Sequence, residues 1–200
     1  MLDGIMRGIV ARPLAMLARR VRPYAGADAV TAAGLGFGLA GAALVAAGAP
    51  SWALAGLALS RLCDGLDGEL ARQSGMTDRG GYLDIVCDFV FYGVFPFGFA
   101  VLDPARNALP ACGLLLAFYI NGATFLAFAA VAARRGMKEE LRGPKALYFT
   151  TGLAEGTETI AVFAAMCLWP GAFAGLAWAF AAVCVVTAAA RVALAWRVFA

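Results

Sequence analysis

Asp64, Asp67, Gly68, Ala71 and Arg72 stand at positions i, i+3, i+4, i+7 and i+8 of one segment. Helical spacing puts all five on one face. Asp84 and Asp88 follow at i and i+4, again one face, which Gly80 and Gly81 join at i−4 and i−3. Convergent carboxylates bind divalent cations, small residues admit a ligand close to the backbone, and a guanidinium holds phosphate oxygens. Together these are the parts of phosphoryl-type transfer.

Asp64 or Asp67 alone, near a helix end, reads as a solvated boundary residue. Asp84 and Asp88 do not, because their segment is otherwise built of Phe, Val, Ile and Tyr. A single carboxylate in a membrane segment costs about 3 kcal/mol even on the lenient insertion scale. Four of them together repel unless neutralised, and an all-oxygen donor set suits Mg²⁺, Mn²⁺ or Ca²⁺. The chain has no histidine, so a general base must be a carboxylate or a less usual lysine or tyrosine. The five cysteines are dispersed, one per apolar segment, with no CxxC spacing. They read as small buried hydrophobes, not as a zinc site or a disulfide framework.

The elements that must position these residues are apolar. The chain is 62% hydrophobic and 14% charged, with a mean hydropathy of +0.80, against roughly 25% charged in an average soluble domain. Runs approaching the ~20 residues of a membrane span predict six helices: Ala29–Gly48, Trp52–Ala71, Gly81–Val101, Ala108–Ala132, Tyr148–Leu168 and Ala172–Ala195. The runs are apolar throughout and do not alternate, which excludes a transmembrane barrel. The expected fold is an all-α integral membrane protein, a six-transmembrane-helix bundle. With the N-terminus inside, fifteen of the sixteen Lys and Arg residues fall on the cytoplasmic side and only Arg106 on the other. That asymmetry predicts both termini and the aspartate face in the cytoplasm. The net charge of +3 then reports topology and attraction to anionic lipid, and no motif points to nucleic acid.

Residues 1–22 read as a separate unit. Leu2, Ile5, Met6, Ile9, Val10, Leu14 and Leu17 occupy one arc of a helical wheel, with Arg7, Arg12, Arg19 and Arg22 mostly off it. Arginines interrupt the apolar residues throughout, unlike a signal peptide. An amphipathic helix lying in the membrane interface is expected, with Pro13 a candidate break in its phase. Residues 23–200 form the six-span domain.

The pattern Asp64-x2-Asp67-Gly68-x2-Ala71-Arg72 followed by Gly80-x3-Asp84-x3-Asp88 resembles the signature of the CDP-alcohol phosphotransferases, integral membrane enzymes of phospholipid synthesis. The likeness extends to length, span plan and N-terminal helix. One departure is a connection of seven residues, Gln73 to Arg79, where the family usually has eight. The shortening lies in the loop and leaves the Gly80 spacing intact; alignment through Gly81 would leave the next spacing one short.

The resemblance implies roles. Asp64, Asp67 and Asp84 would ligate two divalent ions, Mg²⁺ or Mn²⁺, with Asp88 near the metal as the base. Asp64, Gly68, Ala71, Arg72 and Gly80, with Asp28 and Thr31 at a spot where relatives often carry Asn and Thr, would contact the nucleotide. The implied partners are CDP-diacylglycerol, a small alcohol acceptor and the lipid bilayer, with a homodimer as the family assembly. The implied location is a bacterial cytoplasmic (inner) membrane. Arg61 and Glu69 adjoin this face, where salt-bridging or topology accounts for them equally well.

A second polar cluster opens the fifth span: Tyr148, Thr150, Thr151, Glu155, Thr157, Glu158 and Thr159, preceded by Arg142 and Lys145. With Arg191 it is expected to form the acceptor pocket, although pairing of either glutamate with Arg191 or a loop cation is as good an account of each alone. Asn121 and Thr124 read as interhelical hydrogen-bond glue. Family members that use inositol phosphate carry arginines near the paired glutamates; here Gly156 and Thr159 stand there. A non-phosphorylated or zwitterionic acceptor is therefore expected. The alternative is glycerol 3-phosphate, should Arg142, Lys145 and Arg191 restore phosphate affinity. A divalent-cation transporter is the reading from another class, but it leaves Gly68, Ala71 and Arg72 without a task and expects acids near the midplane.

Overall fold

The computed structural model describes residues 2–137, 154 and 156–200, with side chains from residue 10 onward. The described residues are helical apart from short connections: α1 (Leu2–Val21), α2 (Ala27–Ala46), α3 (Pro50–Ser74), α4 (Asp78–Leu102), α5 (Pro104–Arg134), α6 (Gly156–Leu168) and α7 (Phe173–Val198), with a 3-10 turn at Pro170–Ala172. Local chemistry marks the boundaries. Pro50 and Pro104 sit in the first turns of α3 and α5, where a missing N–H costs nothing. Thr77 caps α4 by accepting from the Gly80 amide at 3.0 Å, and Asp103 caps α5 by accepting from the Arg106 amide at 3.2 Å. Gly75 ends α3 with φ +101°, a conformation that a residue with a Cβ rarely adopts.

α2 packs against both α3 and α4, and α5 against α4 and α7. The α2 contacts are close because small residues line them. A Cβ on Gly56 of α3 would lie 2.8 Å from the Phe37 carbonyl oxygen, and one on Gly98 of α4 would lie 2.6 Å from that of Ala42. Interfaces of this kind let backbones approach where no hydrophobic drive separates protein from lipid. The core beneath is aromatic. Phe91, Phe95 and Phe99, one turn apart on α4, are buried; Phe95 stacks on Phe163 at 4.9 Å and Phe99 on Phe173 at 4.6 Å.

Among the described residues, four stretches are long and apolar enough to cross a membrane: α2, α4, α5 and Pro170–Val198. This is fewer than the six spans expected. α3 has the length, but Arg61, Asp64, Asp67, Glu69 and Arg72 crowd its second half. α6 has 13 described residues, and the expected start of its span at Tyr148 lies outside the described residues. α1 is helical on both sides of Pro13, which lacks the N–H that would bond the carbonyl one turn back. Ala18 is buried, and Leu14, Leu17 and Val21 pack with it against Val30, Leu66 and Leu70. Leu14 and Leu17 of the apolar arc thus pack against α2 and α3, while Arg12, Arg19, Arg20 and Arg22 are exposed.

Candidate active site

The end of α3 and the starts of α2 and α4 meet at one end of the bundle. Between them lies an open cleft walled by Asp64, Asp67, Asp84 and Asp88, together with Thr31, Ser60, Arg61 and Phe91. All four aspartates singled out by spacing therefore converge. One carboxylate oxygen from each of Asp64, Asp84 and Asp88 lies within 4.8 Å of the others, a hard-oxygen set whose chemistry fits a divalent cation. Asp67 is the buried member, 5% exposed, and its Oδ2 accepts from Thr31 Oγ1 at 2.5 Å. That bond crosses from α2 to α3 and fixes the carboxylate that water reaches least.

The short α3–α4 connection, residues 75–77, leaves the four acids together. A Cβ on Gly80 would stand 3.1 Å from Thr77 Oγ1 and 3.3 Å from Asp28 Oδ1, whereas nothing lies within 4 Å of one on Gly81. Gly80 is thus the crowded glycine of the pair. Asp28 pairs with Arg79 across the same junction, Oδ2 to Nη2 at 2.6 Å. Arg72 does not face the acids: its fork rests on Glu69, Nη2 to Oε2 at 2.8 Å, with its side chain 60% exposed. Gly68 presents open helix surface beside it, since a Cβ there would meet only Arg72 Nη1, at 3.6 Å. Asp28, Gly68, Ala71, Arg72 and Gly80 lie outside the wall of the acidic cleft.

Salt-bridging, the plainer account of Glu69 and Arg61, holds for both. For Arg61 the partners are site carboxylates, Asp64 at 3.5 Å and Asp88 at 3.2 Å. Its place three residues before Asp64 was the available signal, because i−3 shares the aspartate face. Of the expected acceptor pocket, Arg142, Lys145 and Glu155 lie outside the described residues, and Glu158 sits in the first turn of α6. Arg191, 8% exposed, donates from Nη1 to Asn121 O and Oδ1 and to Thr124 Oγ1, at 2.9, 2.9 and 3.0 Å. Asn121 and Thr124 do tie helices together, through this arginine.

The sequence profile of the CDP-alcohol phosphatidyltransferases matches residues 25–190. The chain belongs to that family. It is 44% identical over 165 residues to the inner membrane protein YnjF of Escherichia coli (strain K12), covering 82% of this chain and 80% of that protein. Its fold is similar to that of the phosphatidylinositol phosphate synthase of Mycobacterium tuberculosis, solved with CDP-DAG bound. There the TM-score is 0.67 at 26% identity, over 92% of this chain and 94% of the other. The same synthase in complex with manganese and citrate also gives a TM-score of 0.67, at 26% identity, over 92% and 88% of the two chains. A CDP-alcohol phosphatidyltransferase is a transferase of substituted phosphate groups, so the chain is an enzyme and the transporter reading falls away.

Proposed function

We propose that this enzyme moves the phosphatidyl group of CDP-diacylglycerol to the hydroxyl of a small polar alcohol and releases CMP. The observation that carries the reading is the convergence of Asp64, Asp67, Asp84 and Asp88 in one open cleft. The synthase of Mycobacterium tuberculosis solved with CDP-DAG, and with manganese, supports the choice of donor and metal class.

In this reading Asp64, Asp67 and Asp84 would hold two divalent ions, Mg²⁺ or Mn²⁺, and Asp88 would face them as a further carboxylate of the same set. Bound there, the ions supply Lewis-acid neutralisation of the pyrophosphate and of departing CMP. Thr31 keeps Asp67 aimed at the cleft through its 2.5 Å bond. Asp88 takes the proton of the acceptor hydroxyl as its oxygen attacks the phosphorus that carries the diacylglycerol; the bond from that phosphorus to CMP breaks. Gly68 and Ala71 let the nucleotide approach α3, and Gly80 and Asp28 bound its other side. Arg72, exposed and paired with Glu69 among the described residues, swings its fork to the pyrophosphate.

The acceptor is a neutral polyol or an amino-alcohol. Glu155 and Glu158 disfavour a phosphate, and Nη1 of Arg191 is already engaged by three oxygens of α5. Residues 1–22 form an interfacial helix and residues 23–200 a six-span domain in a bacterial inner membrane, as a homodimer with its site toward the cytoplasm. α3 and the chain through α6 make up the two further spans.

The test is CMP release by purified protein with Mn²⁺ and CDP-diacylglycerol against a panel of alcohols. Release with polyols, serine or amino-alcohols, abolished by chelation, is the expected result. Release with glycerol 3-phosphate alone overturns the acceptor assignment, and no release with any alcohol overturns the donor reading.

A further inference from the structure

Arg61 is a basic residue in the wall of the acidic cleft. It projects from α3 between the carboxylates of α3 and α4. A single nitrogen, Nη1, lies 3.5 Å from Asp64 Oδ1 and 3.2 Å from Asp88 Oδ1. The rest of the guanidinium is clamped from behind. Nη2 donates to Ser60 Oγ at 3.2 Å, and Cζ lies 4.4 Å from the centroid of the Phe91 ring. Phe91 is itself 1% exposed and packed on Phe95 and Phe163. Nε is buried without a hydrogen-bond partner, so the side chain forgoes one bond while its fork stays turned to the acids.

The geometry points to Arg61 as a built-in counter-charge of the carboxylate cluster: it positions Asp88 and makes a divalent ion compete for Asp64 and Asp88. The inference rests on the metal-dependent reading of this cleft. Asp64, Asp84 and Asp88 repel one another at their separation, and Asp67 has Thr31 as its hydrogen-bond donor. One fixed cation between two of the three offsets part of that repulsion. An entering ion must share both carboxylates with it, which weakens metal binding when no donor phosphate is present. Asp88, the acid that Nη1 approaches most nearly, keeps one oxygen turned to Arg61. Its orientation is then set by α3 as well as by its own helix.

The test uses the full-length purified protein and Mn²⁺ alone as probe, with free Mn²⁺ read by electron paramagnetic resonance in the absence of CDP-diacylglycerol. Removing the charge in Arg61→Gln is expected to tighten Mn²⁺ binding roughly tenfold. The same variant should lower kcat by roughly tenfold while KM for CDP-diacylglycerol stays within about twofold. Arg61→Lys keeps the charge and loses the fork, so its Mn²⁺ affinity should stay within about threefold of wild type while kcat falls. Unchanged or weaker Mn²⁺ binding in Arg61→Gln, or wild-type kcat in either variant, overturns the role. If Arg61→Gln fails to fold, Arg61→Met, which also removes the charge, is read for Mn²⁺ affinity and kcat in its place. Wild-type protein that neither binds Mn²⁺ nor releases CMP overturns the cleft assignment beneath the proposal. Wild-type protein that does both, with variants indistinguishable from it, overturns Arg61 only.

Discussion

Each aspartate meets a different environment in the cleft, and substitutions should separate them. Asp67 is buried against Thr31, Asp84 is exposed at the mouth, and Asp88 leans on Arg61. Asp67→Asn and Asp84→Asn keep shape and lose charge, so both should abolish CMP release; wild-type turnover in either would remove the metal-ligand assignment. Asp88→Asn should act on the chemical step, lowering kcat while CDP-diacylglycerol binding measured by equilibrium dialysis persists. Thr31→Val is nearly isosteric and deletes the donor to a buried carboxylate. An unmet buried acceptor costs about 1–3 kcal/mol, so the variant should melt earlier and bind Mn²⁺ more weakly. An unchanged Tm would mean that the bond adds no net stability.

α2 is the element on which the site depends, because α3 and α4 each present their acids while packed against it. Its approach to them is set by missing side chains. Gly98→Val would drive a Cβ to within 2.6 Å of the Ala42 carbonyl oxygen, and backbone cannot yield as a flexible side chain does. Overpacking of this kind costs about 1–3 kcal/mol, read as a lower Tm in detergent. Gly93→Ala and Gly175→Ala are the controls. Both are helical with nothing within 4 Å of the added Cβ, and each should be neutral or stabilising by about 0.5–1 kcal/mol. Equal loss in all three variants would refute close packing as the cause.

At the scale of the molecule, charge and fold agree about sidedness. α4 leads away from the acids, α5 returns, and Arg135 near its end donates to the carbonyls of Val198 and Phe199 at the end of α7. Arg72, Arg79, Arg134, Arg135 and Arg197 consequently gather at the acid-bearing end, and Arg106 lies at the turn between α4 and α5. This is the distribution that the positive-inside rule predicts for the cytoplasm-facing cleft proposed above. On a background lacking native cysteines, Met76→Cys should react with an impermeant thiol reagent only from the cytoplasmic side. Arg106→Cys and Gly171→Cys should react only from outside. Labelling of Met76→Cys from outside would invert the arrangement and cut the cleft off from cytosolic acceptors.

The aspartate faces, the family and the all-helical class were determined by sequence alone, because each rests on a strict period or a specific spacing. Two carboxylates at a helical interval must share a face of their helix, as each pair here does, and long apolar runs in a membrane must be helical. Span number was less legible, since α3 has the length of a span but carries charged residues through its second half. What only tertiary structure decided are relations between elements. Thr31 bonds Asp67 across 36 positions, Arg61 reaches Asp88 across 27, and Gly80 rather than Gly81 crowds Asp28. No local period encodes such pairings. They follow from how closely the small residues of α2 let α3 and α4 approach, a property of two surfaces meeting rather than of any one segment.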